Sequence, residues 1–319
     1  MKLIDIYRSV VNFGMEMDPR GKDSVKKELL RAQKEYEKLN AKDKEFYDKE
    51  RFNNPYSDTR ILLGKEEAEI KTMLVGVDIE VSEVVLADRL REKGEKIDIL
   101  LTHHPEGMAL AGFFNVMYMQ IDILSRIGVP INIAESLMSE RIKEVERKVL
   151  PVNHTRAVDA AKLLDFSFMT CHTPADNCVA TYVQDLIDKK KPYTLGDIVD
   201  MLRDIPEYNA AAKQNASPRI IKGDASRKAG RVFVDMTGGT EGPKDIFKKL
   251  SEAGVSTIVC MHLSEEHFKK ASEEHMNVVI AGHIASDTLG LNLVLDELEK
   301  KGKFRILTCS GFKRFTRKK

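Results

Sequence analysis

After residue 70, short apolar runs alternate with amphipathic segments along the chain. The amphipathic segments, such as VSEVVLADRLREKG, repeat their apolar residues at helical spacing. The apolar runs have the length of β-strands and form two groups: residues 73–79, 97–102, 129–134 and 166–171, then residues 231–236, 256–261, 277–282 and 304–309. Alternation of this kind predicts an α/β fold.

The two groups share one order: a strand, a helix, a strand that ends in histidine, a helix and another strand. The first contains VGVDI, a helix ending in REKG, IDILLTHH and VPINIAES, and the second contains VFVDM, a helix ending in SEAG, STIVCMH and NVVIAGHIAS. Self-similarity of this kind indicates an internal duplication. We therefore expect two related α/β lobes, with His103 and His262 at equivalent strand ends.

The predicted domain boundaries follow from these patterns. Residues 20–52 combine mixed charge with a sparse apolar stripe, which indicates a mostly solvated helix. We predict a charged helical N-terminal extension over residues 1–70 and a two-lobed α/β domain over residues 71–319. Within that domain we place lobe one at about residues 71–188, a connector at residues 189–229 and lobe two at about residues 230–319.

Composition narrows the classes of function. Of 319 residues, 42% are hydrophobic and 32% charged, as in globular proteins with a sizeable core. The net charge is +1 and Trp is absent, which argues against a nucleic-acid-binding surface. The tail KRFTRKK (313–319) is basic and could touch nucleic acid, but a solvated chain end is the simpler interpretation.

Targeting and redox features point to the cytoplasm. Asp5 and Arg8 interrupt the first apolar run, so we expect no signal peptide. No run of 18 apolar residues exists, so we expect no membrane span. The cysteines are far apart and lack CxxC spacing, which is typical of thiols in a reducing compartment: Cys171, Cys178, Cys260 and Cys309.

Three groups of histidine and aspartate follow predicted strands. His103 and His104 stand at a strand end, where α/β proteins bind ligands, and they are either metal ligands or surface residues of a turn. His283 and Asp287 are four residues apart, near one face of a helix start. That pair is either a metal-binding pair or a helix terminus with an acid placed for the helix dipole.

The third group is CHTPADN, directly after another strand. Asp176 has two carboxylate oxygens and is a candidate to bridge two metals, with an ordinary helix start as the alternative. His172 is a candidate to orient the site from outside the ligand set. Each group alone is ambiguous, but three groups at strand ends together favour a metal site between the lobes.

Two further segments leave their role open. MTGGTEGP (236–243) joins a strand to a helix, and it is either an anion-binding loop or a tight turn. His262 and His267 follow the strand that corresponds to IDILLT. They either approach the site from lobe two or lie on the surface.

The order THHP, HTxxD and AGHxxSD resembles the Nif-three-like family of dinuclear metal proteins, whose members are also described as GTP cyclohydrolase I type II homologues. The resemblance covers roughly residues 70–319. It implies two related α/β halves, a hexameric ring and two divalent metal ions such as Zn, Fe or Mn. The ligand positions that it implies are His103, His104, Asp176, His283 and Asp287.

The chain departs from this family at two places. Asp287 stands where the family usually has Glu, which is one methylene longer. After the histidine pair the chain continues with PEGM instead of large apolar residues. Glu106 is therefore a candidate general base or extra ligand, with a solvated loop glutamate as the alternative.

The resemblance and the residue types together predict a metal-dependent hydrolase of the cyclohydrolase type, acting on a nucleotide or a phosphoester. The alternative is a non-catalytic, metal-containing scaffold or regulatory protein that binds a partner. We expect no membrane partner, and we expect self-association.

Overall fold

A computed structural model of the chain describes residues 1–317. The helices are α1 (Leu3–Glu16), α2 (Lys22–Lys38), α3 (Ala41–Phe46), α4 (Val81–Glu92), α5 (Gly107–Ala111), α6 (Met119–Ile127), α7 (Ile131–Val149), α8 (Arg156–Leu163), α9 (Thr173–Lys190), α10 (Leu195–Arg203), α11 (Pro206–Ala212), α12 (Ile246–Glu252), α13 (Glu265–Glu273) and α14 (His283–Glu299). Short 3-10 helices cover Lys49–Phe52 and Phe113–Tyr118.

The strands form two sheets. They are β1 (Ile61–Leu63), β2 (Thr72–Gly76), β3 (Ile99–Thr102), β4 (Ser167–Thr170), β5 (Arg219–Lys222), β6 (Val232–Asp235), β7 (Thr257–Cys260), β8 (Asn277–Ile280) and β9 (Arg305–Cys309). Sheet one has the order β1-β4-β3-β2-β9 and sheet two the order β5-β8-β7-β6. Strands β2 and β3 are buried at every residue, because helices cover both faces of a parallel sheet.

The two sheets repeat one topology. In sheet one, β2, β3 and β4 are parallel neighbours and β1 lies antiparallel to β4. In sheet two, β6, β7 and β8 are parallel neighbours and β5 lies antiparallel to β8. This confirms the predicted α/β fold with two related lobes and is compatible with an internal duplication. Strand β9 extends sheet one beyond the repeat, beside β2.

The prediction of a strand over residues 129–134 is wrong, because that run begins helix α7. The buried residues Ala134, Met138, Ile142 and Val145 continue at helical spacing. A six-residue apolar run does not by itself distinguish a strand from a buried helix segment. The third strand of the first copy is therefore β4, and NVVIAGHIAS corresponds to FSFMTCHTPA rather than to VPINIAES.

The segment before residue 70 is more integrated than a charged extension. Helix α2 is mostly exposed, as predicted. Helix α1, however, buries Leu3, Ile6 and Val10 in the core beneath sheet one. Strand β1 also pairs with β4, so the segment is not helical throughout. The boundary at residue 70 stays a prediction.

The basic tail is partly bound to the protein. Arg314 pairs with Asp296 and Glu299 on α14, and Arg317 pairs with Glu207 at 2.8 Å. The prediction of a solvated chain end is therefore wrong for these two arginines. Lys318 and Lys319, which belong to the same predicted tail, lie outside the described residues.

Helices α9 and α14 lie side by side between the sheets. The second half of α9 packs in the core under sheet two, with Val179 and Val183. The later turns of α14 pack in the core under sheet one, with Val294 and Leu295. Each helix therefore follows the last strand of one repeat and contributes to the core of the other lobe. Within residues 1–317, no helix has both the length and the apolar content needed to cross a membrane.

Gly290 sets the separation of these two helices. A Cβ atom at this position would lie 2.4 Å from the carbonyl oxygen of Ala175 on α9. Such a contact is too short for any real Cβ, so only glycine permits the present approach. Since Asp176 follows Ala175 and Asp287 precedes Gly290 by one turn, this contact also sets the distance between the two carboxylates.

We expect Gly290→Ala to destabilise the protein although alanine is a better helix former by about 1 kcal/mol. The forced separation of α9 and α14 should lower the free energy of unfolding by about 1–3 kcal/mol, measured by urea denaturation. Gly112→Ala is the control, since its Cβ would meet no atom closer than 3.4 Å. Unchanged or higher stability of Gly290→Ala would show that the contact is not restrictive.

Candidate metal centre

The predicted site residues meet where strands of sheet one end. His103 and His104 follow β3, and His172 follows β4 and caps the N-terminus of α9. His283 begins α14, which enters from lobe two. The carboxyl edge of a parallel sheet is the usual place for a ligand site, because loops and helix starts converge there. Both long helices thus begin with His-x-x-x-Asp beside one another.

One set of donors consists of His103, Asp176 and Asp287. His103 Nε2 lies 3.4 Å from Asp176 Oδ1 and 3.5 Å from Asp287 Oδ1. All three residues are buried. Ligand atoms ~2.0–2.2 Å from one tetrahedral cation lie about 3.3–3.6 Å from one another. These separations therefore match the vertices of a single coordination site.

A second set shares Asp287. Its Oδ2 atom lies 3.6 Å from His104 Nε2 and 3.6 Å from His283 Nε2. The two oxygens of Asp287 thus face different histidines, whereas Asp176 turns its Oδ2 atom towards His172 Nδ1 at 3.7 Å. The distances favour Asp287, rather than Asp176, as the carboxylate that joins the two sets. Asp287 reaches both sets because α14 starts close to α9.

Asp176 and Asp287 have carboxylate oxygens without a hydrogen-bond partner among the described residues. These atoms, Asp176 Oδ1, Asp287 Oδ1 and Asp287 Oδ2, are all buried. A buried, unpaired carboxylate oxygen is costly, so such atoms need a cation or a donor. Imidazole nitrogens and carboxylate oxygens form a donor set suited to Zn, Fe or Mn. The residues present therefore fit a metal ion.

Electrostatics in the cluster favour positive charge. Burial alone would lower the pKa of His103, but Asp287 and Asp176 raise it well above its ordinary value. Burial would raise the pKa of Asp287, but His103 and the neighbouring histidines hold it below the ordinary value. The pKa of His283 is lowered, mainly by burial. A neutral His283 keeps the lone pair that metal coordination requires.

Two hydrogen bonds orient the histidine pair. His103 Nδ1 lies 3.0 Å from the carbonyl oxygen of Cys171 and must donate to it. His104 Nδ1 lies 2.6 Å from Asp78 Oδ1, and this bond lowers the pKa of Asp78. With both Nδ1–H groups engaged, both Nε2 atoms point into the cluster. Metal-binding histidines are commonly fixed in this way.

His172 lies within the cluster. Its ring centroid is 4.7 Å from that of His103, and its ligand nitrogens are close enough to form a donor group with His103 and His104. His172 Nδ1 bonds Asp58 Oδ2 at 2.8 Å. Its predicted orienting role stays a prediction, and the geometry also suits it as a ligand.

Glu106 is half-buried and is in neither donor set. It precedes α5 in the chain. Burial, with Glu80 and Asp78 nearby, raises its pKa to about 7 against the lowering effect of Arg156. A carboxyl with such a pKa exchanges protons near neutral pH. Its role as a base stays a prediction, and so does the alternative of a solvated loop glutamate.

The two histidines of lobe two have different surroundings. His262 is next to the site, with its ring centroid 4.9 Å from that of His283 and its Nδ1 atom 3.2 Å from Glu241 Oε1. His267 is buried against Ser264 and the carbonyl oxygen of Gly242. It holds the loop that forms one wall of the pocket, and it is not a surface residue.

The glycine-rich loop 236–243 forms a turn over the pocket. Gly238 and Gly239 both have positive φ values, near +92° and +91°. Gln120 on α6 donates its side-chain amide to the carbonyl oxygens of Gly238 and Thr240. These bonds hold the loop against α6, and the turn is the interpretation that its geometry supports.

Sequence reasoning missed Asp58 and Asp78. Asp78 follows β2 in VGVDI, and its place at a strand end could have indicated a position near the site. Asp58 lies in a loop 114 residues before His172, and its pairing depends on how the N-terminal segment folds back. It also accepts hydrogen bonds from the Thr173 hydroxyl and backbone, so it fixes the start of α9.

Comparisons with solved structures identify the fold. The chain is similar to the crystal structure of a NIF3 superfamily protein from Sphaerobacter thermophilus, with a TM-score of 0.71 and 22% identity over 95% of this chain and 97% of that one. This chain has the fold of that NIF3 superfamily protein. The fold expected from the Nif-three-like resemblance is thereby confirmed.

Weaker similarities extend to other proteins. Reduced HcgD from Methanocaldococcus jannaschii has 14% identity and a TM-score of 0.49, covering 78% of this chain and 87% of that one. A Bacillus cereus protein related to NIF3 has 11% identity and a TM-score of 0.42, covering 79% and 91%. A scan of family models finds no match, and a search of curated proteins finds none either.

Asp287 belongs to both donor sets and Asp176 to one, so their substitutions should differ in effect. We expect Asp287→Asn to weaken metal binding at both donor sets, because the amide offers one neutral oxygen in place of a carboxylate. Asp176→Asn should weaken binding only at the set that contains His103. Metal per chain, measured by mass spectrometry after dialysis, distinguishes the two, with exposed Asp185→Asn on α9 as the control. Unchanged metal content of Asp287→Asn would contradict its part in both donor sets.

Asp78 should matter for one metal only. Asp78→Asn weakens the hydrogen bond that orients His104, so we expect about 10–100-fold lower affinity for the metal at His104 and His283. Competition with a chromogenic chelator measures each affinity. Glu92→Gln, an exposed carboxyl on α4, should leave both unchanged. Equal weakening at both metals would argue against a local orienting effect.

Proposed function

We propose that this chain binds two divalent metal ions and hydrolyses a nucleotide or a phosphoester. The observation that carries the proposal is Asp287, whose two buried and unpaired oxygens each face a different histidine set. His103 and Asp176 complete one set, and His104 and His283 complete the other. Zn, Fe and Mn suit these ligands, and the choice among them depends on availability as well as on geometry.

Two bound cations would lower the pKa of a shared water and stabilise negative charge that develops on the substrate. The protein groups around them keep the ligands in place. Cys171 and Asp78 orient the imidazoles of His103 and His104, and Asp58 holds His172. The Glu241–His262 pair stands on the opposite wall, within reach of a bound group next to His283.

The pocket over the cluster limits what can enter. Its volume is about 70 Å³, and residues of β6, the glycine-rich loop and α12 line it together with the cluster. A space of this size holds one or two waters or a small functional group. The substrate would therefore present one small reactive group to the metals, such as a terminal phosphate or the edge of a base, with the remainder outside.

Activity should depend on the metals and on Asp287. With Mn or Zn, we expect turnover of GTP or of a nitrophenyl phosphate ester, abolished by a chelator and restored by metal. Asp287→Asn should lower kcat/KM by at least about 100-fold, or about 2.7 kcal/mol. Asp185→Asn serves again as the control.

Two metals per chain without turnover of nucleotides or phosphoesters would contradict the hydrolase and favour a non-catalytic scaffold. Hexameric assembly and a cytoplasmic location stay predictions, and light scattering tests the first.

A further inference from the structure

The free edge of β6 has no strand beside it among the described residues, although its counterpart in sheet one does. Sheet two ends at β6, whereas sheet one continues from β2 to β9. Strand β9 lies parallel to β2, with Thr72–Gly76 opposite Arg305–Cys309. The repeated topology makes β6 the equivalent of β2. The pairing of β9 with β2 therefore indicates that the edge of β6 can accept a parallel strand.

The side chain of Gln184, on α9, makes hydrogen bonds to β6 that a neighbouring strand would make. The Gln184 amide accepts a hydrogen bond from Val234 N–H at 3.0 Å and donates one to the carbonyl oxygen of Val232 at 3.4 Å. In parallel pairing, one residue of the neighbouring strand makes the same two bonds, to the residues before and after its partner. The Gln184 amide thus takes the place of one residue of a neighbouring strand, opposite Phe233.

A large groove follows the same edge. Its volume is about 930 Å³, and it is bounded by β6, α9, α6 and the turn after α1. Four extended residues span about 13 Å, which is the length of β6. The groove thus offers an unpaired main-chain edge together with room for a short extended chain and its side chains.

Charge in the groove favours cationic side chains. Glu16, Asp185 and Asp188 line it, the last two from exposed positions on α9. One exposed lysine, Lys191, also lines the groove, so its acids outnumber its free cations among the described residues. The lining arginines direct their guanidinium groups to main-chain carbonyl oxygens. Arg126 bonds that of Arg20, and Arg231 bonds those of Ala253 and Ile127.

We propose that the edge of β6 binds an extended, lysine- or arginine-containing peptide segment of another protein, which adds to sheet two as a parallel strand in the position equivalent to β9. Main-chain hydrogen bonds would supply affinity, and the acids on α9 would select basic side chains. Gln184 shields the edge until the peptide displaces it, since uncovered edges promote aggregation. The proposal does not require bound metal.

The test uses the full chain and a fluorescein-labelled peptide, Lys-Val-Lys-Val-Lys with blocked ends, in an anisotropy titration. We expect saturable binding to the native protein. Gln184→Ala removes the competing amide and should bind about tenfold more tightly, as expected for the loss of one or two competing hydrogen bonds. Gln33→Ala, an exposed glutamine on helix α2, is the matched control and should bind as the native protein does.

Two further arms test the mode of binding. A peptide with methylated main-chain N–H groups should lose binding, because it cannot pair with β6. Asp185→Lys should weaken binding of the basic peptide severalfold, whereas Glu37→Lys on α2 should not. Asp287→Asn should bind normally, so failure of the metal proposal leaves this one standing.

Three results would overturn the proposal. The first is that neither the native nor the Gln184→Ala protein binds the peptide. The others are that the N-methylated peptide still binds, or that a Glu-Val-Glu-Val-Glu peptide binds equally well. Self-association of Gln184→Ala without peptide binding would also overturn it, since a second copy would then be the occupant of the edge.

Discussion

The contact between α9 and α14 is the constraint on which the rest of the structure depends. Each helix leaves the last strand of one repeat and packs into the core of the other lobe. Gly290 lets the two backbones approach closely at Ala175, and the site aspartates flank that point. A shift of one helix would move Asp176 relative to Asp287 and would also uncouple the lobes. Fold and site therefore share one geometric requirement.

That requirement brings together groups that would repel one another without a partner. Two buried carboxylates lie against a buried imidazole, and three of their oxygens have no hydrogen-bond donor among residues 1–317. Proton binding at His103 offsets part of the repulsion, which is why its pKa is raised. A cation offsets more, because one ion contacts several oxygens at once. The site thus favours positive charge, and the orienting bonds from Asp78 and Cys171 turn the Nε2 atoms of His104 and His103 towards it.

Much of this site was predictable from sequence because local signals coincide with strand ends. The HH pair and the two His-x-x-x-Asp groups each follow an apolar run, and parallel strands bring such ends to one edge. Other features depend on distant parts of the chain. Asp58 reaches His172 only after the N-terminal segment folds back, and nothing in NNPYSDT indicates that. The strand predicted at residues 129–134 is wrong because six apolar residues fit the spacing of a strand as well as that of a helix. The buried residues that reveal helical spacing, Met138, Ile142 and Val145, come later in the chain. The same error aligned VPINIAES, instead of FSFMTCHTPA, with NVVIAGHIAS.

The corrected repeat changes how the two lobes compare. With β4 equivalent to β8, the HTPAD and HIASD segments occupy corresponding helix starts, so each repeat places one aspartate in the site. The lobes then diverge at their edges. Sheet one has β9, whereas the corresponding edge of sheet two meets only the amide of Gln184 within the described chain. A duplicated unit would be expected to keep an edge that accepts a strand, because that capacity lies in the main chain and does not depend on side-chain identity. A single glutamine satisfies two main-chain groups there while leaving a groove of about 930 Å³, so the edge is shielded without being filled.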